Sequence, residues 1–200
     1  MLTQLSTIKA RLAIDDFNVQ YDTLLTNAIR AVSARFDRET NRTLARTVDA
    51  TDEFSADDTE IIVPCYPIES VSKFETKASE TAGWVEQSPV EFLVRRSCVV
   101  SLPSPLCFQL SAFGPQLFQA RLTYTGGYVL PGSTPGLGQA ALPDDLEQAA
   151  VEQVACWFQS RDQLGLVRIW PHQGTYEQFS QLDLLPQVKA VLDRHTRLVL

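Results

Sequence analysis

The residues that could do chemistry in this chain are few and widely spaced. Cys65, Cys98, Cys107 and Cys156 include no Cys-x-x-Cys pair, and each lies in an apolar context such as "SCVVSL" or "VACWF". That context favours reduced, buried thiols that behave as small hydrophobes. A zinc site wants clustered Cys or His, but the only histidines, His172 and His195, have no cysteine near them in sequence. Neither a metal nor a cofactor is expected. His172, in "WPHQGTYEQF", has Glu177 nearby, and these two with Arg161 are the residues a scattered enzymatic or small-ligand site would use. A lone loop histidine with one acid nearby is more often a surface residue. No Gly-x-Ser-x-Gly elbow, His-Glu-x-x-His pair or aspartate-rich calcium loop occurs, so the chain gives no positive reason to expect an enzyme.

The stretch "YTGGYVLPGS", residues 124–133, raises a second possibility, a phosphate cradle. Such a loop needs free backbone N–H groups at a helix N-terminus and, in its commonest form, a lysine after the last glycine. Here no lysine follows, Pro131 and Pro135 remove donors, and the next helix opens on Asp144 and Asp145, which repel phosphate. The expectation is a flexible joint that uses glycine to reach positive φ.

The elements around these residues are legible. Ser6 can cap a short helix through "TIKARLAI", with Ile8 and Leu12 on one side. In "YDTLLTNAIRAVSARFDRETNR", Leu25, Ile29, Val32 and Phe36 form a helical stripe, with Asp22 suited to the N-terminus. From about residue 44 the pattern changes to short segments rich in Val, Ile, Phe and Tyr: "EIIVP", "VSKFETK", "WVEQ", "EFLV", "CVVSL" and "FQARLTYT". Turn residues separate them, so an antiparallel sheet or small barrel is expected. Helix returns at "PDDLEQAAVEQVACWFQSR", and Pro186 starts a last helix with the stripe Leu184, Val188, Val191 and Leu192. The fold class is therefore α+β, with a helical core (1–46 and 143–200), an inserted β-rich region (47–130) and a linker (131–142). These make one domain.

Bulk properties fit. The 200 residues are 44% hydrophobic and 20% charged, with a net charge of −7. No apolar run approaches the ~18 residues of a membrane span, and the N-terminus lacks a secretory pattern, so manufacture in the cytoplasm is expected. Ten acids against Lys73 and Lys77 give residues 52–91 a charge of −8. No basic patch suited to gripping nucleic acid is apparent.

The order "LTQLSTIKARLAID", "YDTLLTNAIRAVSARFDRETNRTL", "IIVPCYPIESVSKF", "LTYTGGYVLP" and "LPDDLEQAAVEQVACWF" resembles the head–tail connector family of tailed bacteriophages, the neck adaptor or head-completion proteins. The match touches most of residues 2–158, and "LLPQVKAVLDRH" also suits it. The resemblance implies a virion neck protein that forms a ring, usually a dodecamer, under the portal protein. It would extend the DNA channel and join the head to the next neck (stopper) or tail protein, without catalysis and without a membrane. Double-stranded DNA would pass through without specific binding. A tail-side completion protein, or a small-ligand-binding or enzymatic domain, is the alternative.

On that reading, the apolar end of the chain is expected to bind the portal through Leu184, Leu185, Val188, Val191, Leu192, His195, Leu198 and Leu200. The competing expectation is that this helix closes the chain's own core against residues 144–160. Arg30, Arg38 and Arg42 are expected at subunit contacts, facing a neighbour's acidic block. Asp52, Glu53, Asp57, Asp58 and Glu60 are candidates for lining the channel, where negative walls would let DNA slide. They equally suit a solvated outer sheet.

Overall fold

The computed structural model describes residues 1–79, 81, 83–106, 119–161 and 183–197. The chain has an α+β fold and divides into two compact units, Met1–Thr40 with Leu142–Thr196, and Asn41–Ala141 with Arg197–Leu200.

The first unit is helical. It contains α1 (Leu5–Leu12), α2 (Asp22–Glu39), α3 (Asp144–Gln159) and α4 (Pro186–His195). The stripe Leu25, Ile29, Val32 and Phe36 is buried, as are Ile8 of α1 and Leu146, Ala149, Ala150 and Val154 of α3. Helix α3 packs against α1, α2 and α4. Its small residues allow close approach, because ridges of one helix sink between the side chains of the next.

Helix α1 begins one residue before Ser6, with Gln4 at the cap position and no capping side chain. Ser6 Oγ lies 3.4 Å from Gln4 Oε1 instead. Burial of Leu2 and Thr3, with the Leu2 N–H donating to Ser33 Oγ at 3.0 Å, anchors the preceding chain and so sets the earlier start. At the other end, Ala13 takes a left-handed conformation with φ 54° and stops the helix. Lys9 is almost fully buried, yet its ammonium pairs with Asp22 at 2.6 Å and donates to the Asp16 carbonyl at 3.0 Å. These bonds tie the α1–α2 loop to both helices.

The second unit is β-rich. Strands β1 (Thr47–Ser55), β3 (Ile68–Lys77), β4 (Val85–Gln87) and β7 (Gln119–Gly126) form an antiparallel sheet of order β1-β7-β3-β4. Strands β2 (Glu60–Ile62), β5 (Leu93–Arg95) and β6 (Val99–Ser101) form a second antiparallel sheet of order β2-β6-β5. A short parallel pair joins β8 (Tyr128–Val129) to β9 (Ala140–Ala141). Both larger sheets contribute to one apolar core, built on Ile61, Val63, Phe74, Val100, Leu102, Leu122 and Tyr124. In β7 the alternation of Ala120, Leu122 and Tyr124 supplies one face of that core.

Strand β1 has no counterpart among the expected segments. Its sequence "TVDATDEFS" is poor in strand-forming apolar residues, and pairing with β7 along its length makes it a strand. Residues 41–46 fall in the β-rich unit, because the chain flanks β8 there. Tyr128 N–H donates to the Leu44 carbonyl at 2.9 Å, and Arg46 N–H donates to the Tyr128 carbonyl at 2.8 Å.

Candidate functional site

The glycine corner is a backbone junction where three chain segments approach closely. Gly127 has φ 98°, and its N–H donates to the Pro67 carbonyl at 2.9 Å. A methyl group at Gly126 would meet the Cys65 carbonyl oxygen at 2.5 Å, and one at Gly127 would meet the Ala45 carbonyl oxygen at 2.6 Å. Both glycines are there because backbone approaches backbone. The glycine at 127 takes the positive φ expected of this corner, and residues 126–128 lie hydrogen-bonded between the segments 43–46 and 64–67. Tyr124 and Cys65 complete the junction. The Cys65 N–H donates to Tyr124 Oη at 3.0 Å, and its thiol donates to the Gly126 carbonyl at 3.1 Å. Burial pushes the Tyr124 phenol well above its ordinary range.

Arg42, expected at a subunit contact, is buried in this same region. Its guanidinium stacks on the Tyr66 ring at 3.4 Å, lies 5.1 Å from the Tyr128 ring centre, and donates to the Tyr66 carbonyl. It therefore cannot reach a neighbouring subunit's acids. The planar cation is taken up by two aromatic faces within its own unit. Arg30 and Arg38 are exposed on α2, open to a partner.

Four acids of the block, Asp52, Glu60, Glu69 and Glu75, are paired with arginines distant in sequence. Arg46 holds Glu69 in a two-pronged contact at 2.7 and 2.8 Å. Arg95 pairs with Glu60 and also donates to Ser101 Oγ. Arg121 and Lys73 hold buried Glu75 at 2.8 and 3.1 Å. Burial would push the Glu75 carboxyl up, but the Lys73 and Arg121 hydrogen bonds and charges outweigh it, and the carboxyl sits below its ordinary range. Trp84 closes over this cluster, 4.4 Å from the Arg121 guanidinium.

Asp52 is corrected as an open lining residue. The alternation of β1 turns Ala50, Asp52 and Phe54 to the half-buried side, while Thr51, Glu53 and Ser55 are exposed. Burial pushes the Asp52 carboxyl up, partly opposed by Arg197 at 4.0 Å. Glu53, Asp57, Asp58 and Glu60 are exposed, Glu60 in its pair with Arg95.

In the C-terminal segment, Leu184, Val188 and Leu192 are buried in the helical unit. The expected apolar docking stripe is thus mostly core, because α4 lies against α3. Gln153 of α3, itself fully buried, accepts the Leu185 N–H at 2.9 Å and so positions the start of α4. Leu185, Val191 and His195 remain half-exposed, and His195 Nε2 lies 3.1 Å from Asp145 Oδ2. Leu198 and Leu200 lie outside the described residues, as do His172, Glu177 and Cys107. Arg161 donates to the Phe158 carbonyl at 2.8 Å and stacks on the Phe158 ring at 4.2 Å. Among the described residues, no group of three or more His, Cys, Asp or Glu could hold a metal ion, and no helix is long and apolar enough to cross a membrane.

No family model matches the chain, and no curated protein matches it. Solved structures do. A chain in the neck of an empty gene transfer agent particle, computed with C6 symmetry, superposes with a TM-score of 0.55 at 16% identity, over 98% of this chain and 89% of that one. A chain of the native gene transfer agent virion gives 0.54 at 16% identity, with 98% and 89% covered. A chain in the neck of the native particle, computed with C12 symmetry, gives 0.51 at 15% identity, with 98% and 91% covered. Over nearly its whole length, this chain has the fold of proteins that build the neck of a gene transfer agent particle.

Proposed function

We propose that this chain is a structural neck adaptor of a tailed-phage-type virion. It would sit under the portal protein as a ring, extend the DNA channel and present a surface to the next neck or tail protein. The observation that carries this reading is the fold shared with neck chains over 98% of the sequence. The order of sequence segments, which resembles head–tail connectors, supports it independently. Assembly in the host cytoplasm and final residence at the virion neck follow from the same reading.

The residues acquire roles accordingly. Exposed Glu53, Asp57, Asp58 and Glu60, the last in its pair with Arg95, are the acids assigned to the channel wall on this reading. A negative wall repels phosphates and leaves the polymer free to slide. Portal contact falls to the half-exposed Leu185, Val191 and His195 and to the terminal residues Leu198 and Leu200 that follow α4. Arg30 and Arg38 remain for contacts between subunits, where exposed ion pairs contribute only ~0–1 kcal/mol each. A ring held by such pairs needs the portal as a template, and repetition around it converts weak contacts into tight docking.

The test mixes purified chain with portal rings of the same particle and images the product by electron microscopy. The adaptor reading expects a closed ring of chains on the portal's tail-facing end. Binding to tail tubes and not to portals would replace it with the tail-side completion role.

A further inference from the structure

The segment after α4 changes allegiance within one residue. Thr196 packs with the helical unit, whereas Arg197 packs with the β-rich unit. Thr196 is extended, with φ −67° and ψ 134°, so α4 stops there. Arg197 then seats on a specific acceptor. Val63 N–H donates to the Cys98 carbonyl, and Leu102 N–H donates to the Thr59 carbonyl. Backbone polar groups alternate in direction along an antiparallel strand, so those of Thr59, Ile61 and Val63 face β6 and the Ile62 carbonyl faces away from it. β2 has β6 on one side only. The Ile62 carbonyl therefore lies on the free edge of β2, and Arg197 donates to it.

The same nitrogen, Nη2, lies 4.0 Å from Asp52 of β1, which is the outer strand of the larger sheet. One side chain thus reaches edge strands of both sheets. The seat is incompletely satisfied. Arg197 Nε is buried with no hydrogen-bond partner among the described residues. The Asp52 contact is too long for a hydrogen bond, and burial disfavours the charged carboxylate that Arg197 faces. A buried orphan donor costs free energy that water restores once the group is released. The contact therefore holds Arg197 in place while favouring its departure when something else offers better partners.

We propose that Arg197 is the pin of an autoinhibitory latch: it holds the segment after α4 on the free edge of β2 in the isolated chain, and that segment docks on the portal only once the pin is drawn. The inference rests on the adaptor reading, which gives portal contact to Leu198 and Leu200. Both follow Arg197 within three residues, a reach of at most ~10 Å, so a seated Arg197 restricts where they can bind. Only the unlatched fraction of chains is competent to dock, and the apparent affinity for the portal is reduced by that fraction. While latched, Arg197 also occupies a carbonyl of the β2 edge, which makes that edge a poorer template for another strand.

Trypsin reads the pin directly, because it cleaves after Arg197. The full-length chain is digested briefly under native conditions, and loss of Leu198–Leu200 is followed by intact mass, which separates it from cleavage after Arg194. Asp52→Asn removes the carboxylate that faces the pin. Arg197→Lys keeps the charge and the cleavage site but loses the planar fork. Each variant should speed this cleavage roughly two- to fivefold, since cleavage follows the open population. Binding to portal rings of the same particle should tighten by the same factor, because it depends on that same population. Cuts elsewhere in the chain would mark a variant that has unfolded, and the other variant then carries the comparison. Equal cleavage rates in wild type and variants would overturn the latch. Faster cleavage with portal affinity unchanged or weakened would overturn the proposal while leaving the adaptor reading intact. Failure of wild type and variants alike to bind portals would remove the adaptor reading and the proposal together.

Discussion

The Arg42 guanidinium lies 3.4 Å from the centre of the Tyr66 ring and donates a hydrogen bond to the carbonyl of that same residue. One buried cation thus holds both the side chain and the backbone of the segment that leads into β3. The Tyr66–Pro67 bond in this segment is cis, and the Pro67 carbonyl accepts the Gly127 N–H. Arg42 is therefore a brace of the β-rich unit.

Replacing Arg42 by Ala removes a desolvated cation–π contact and a charged hydrogen bond. A loss of about 3 kcal/mol is expected, read as lost amide-exchange protection in β3 and β7. Arg42→Lys should recover little, because an ammonium cannot stack as a plane. Arg30→Ala, on the exposed face of α2, should change stability by no more than ~0.5 kcal/mol.

At the glycine junction, Gly127→Ala adds a methyl group 2.6 Å from the Ala45 carbonyl oxygen at a φ of 98°. Neither backbone segment can yield without breaking the hydrogen bonds at Leu44 and Arg46. A loss above ~3 kcal/mol is expected, combining left-handed strain with overpacking. Gly138, at φ 81°, has nothing near its missing side chain, so Gly138→Ala should lose only the ~1 kcal/mol of conformational strain. Thermal melts of the two variants should differ accordingly, and equal melting temperatures would count against a packed junction.

Two carboxylates should act on stability in opposite directions as pH changes. Glu75 is held below its ordinary range, so its contribution is present above the unfolded-state value of ~4.3 and is lost as pH falls through the folded value. Glu75→Gln should therefore destabilise at neutral pH and flatten the fall in acid. Asp52 is raised by burial, so the folded state binds its proton more tightly and loses stability as pH rises through that range. Asp52→Asn should raise the melting temperature at pH 7 relative to wild type, with the difference vanishing near pH 3. Melting curves across pH 3–8 measure both.

Val188 and Leu192 are core positions of α4, so Val188→Ser with Leu192→Ser should unfold the helical unit instead of leaving a soluble chain that merely fails to dock. Each deletion of buried apolar volume costs about 2–4 kcal/mol. Gln153→Ala is a subtler probe: it orphans the Leu185 N–H, for about 1–3 kcal/mol, and should release α4 first. Hydrogen exchange resolved along α3 and α4 separates these outcomes. Val191→Ser, half-exposed on the same helix, should be tolerated and is the better probe of portal docking.

The helices are legible in the sequence because their driving force is local in pattern. Leu25, Ile29, Val32 and Phe36 recur at the helical period, so burying one face fixes both the element and its orientation. The same holds for Ala120, Leu122 and Tyr124 in β7, where the period is two. Strand β1 is different: nothing in "TVDATDEFS" favours extended structure strongly, and only its hydrogen bonds to β7 select it.

Charge and exposure were decided by tertiary contacts. Residues 52–91 carry −8 in sequence, but the cations that compensate them are mostly remote, with Arg46, Arg95, Arg121 and Arg197 reaching Glu69, Glu60, Glu75 and Asp52. A local tally of charge cannot foresee them, because electrostatic attraction depends on distance in space and not along the chain. Arg42 illustrates the same point from the other side. Its sequence neighbours suggest a solvated helix end, whereas the fold brings the Tyr66 and Tyr128 rings against it and buries it. The stripe of α4 was legible as apolar, but an apolar stripe serves a partner or a core equally well. Only the position of α3 decides that Leu184, Val188 and Leu192 belong to the core.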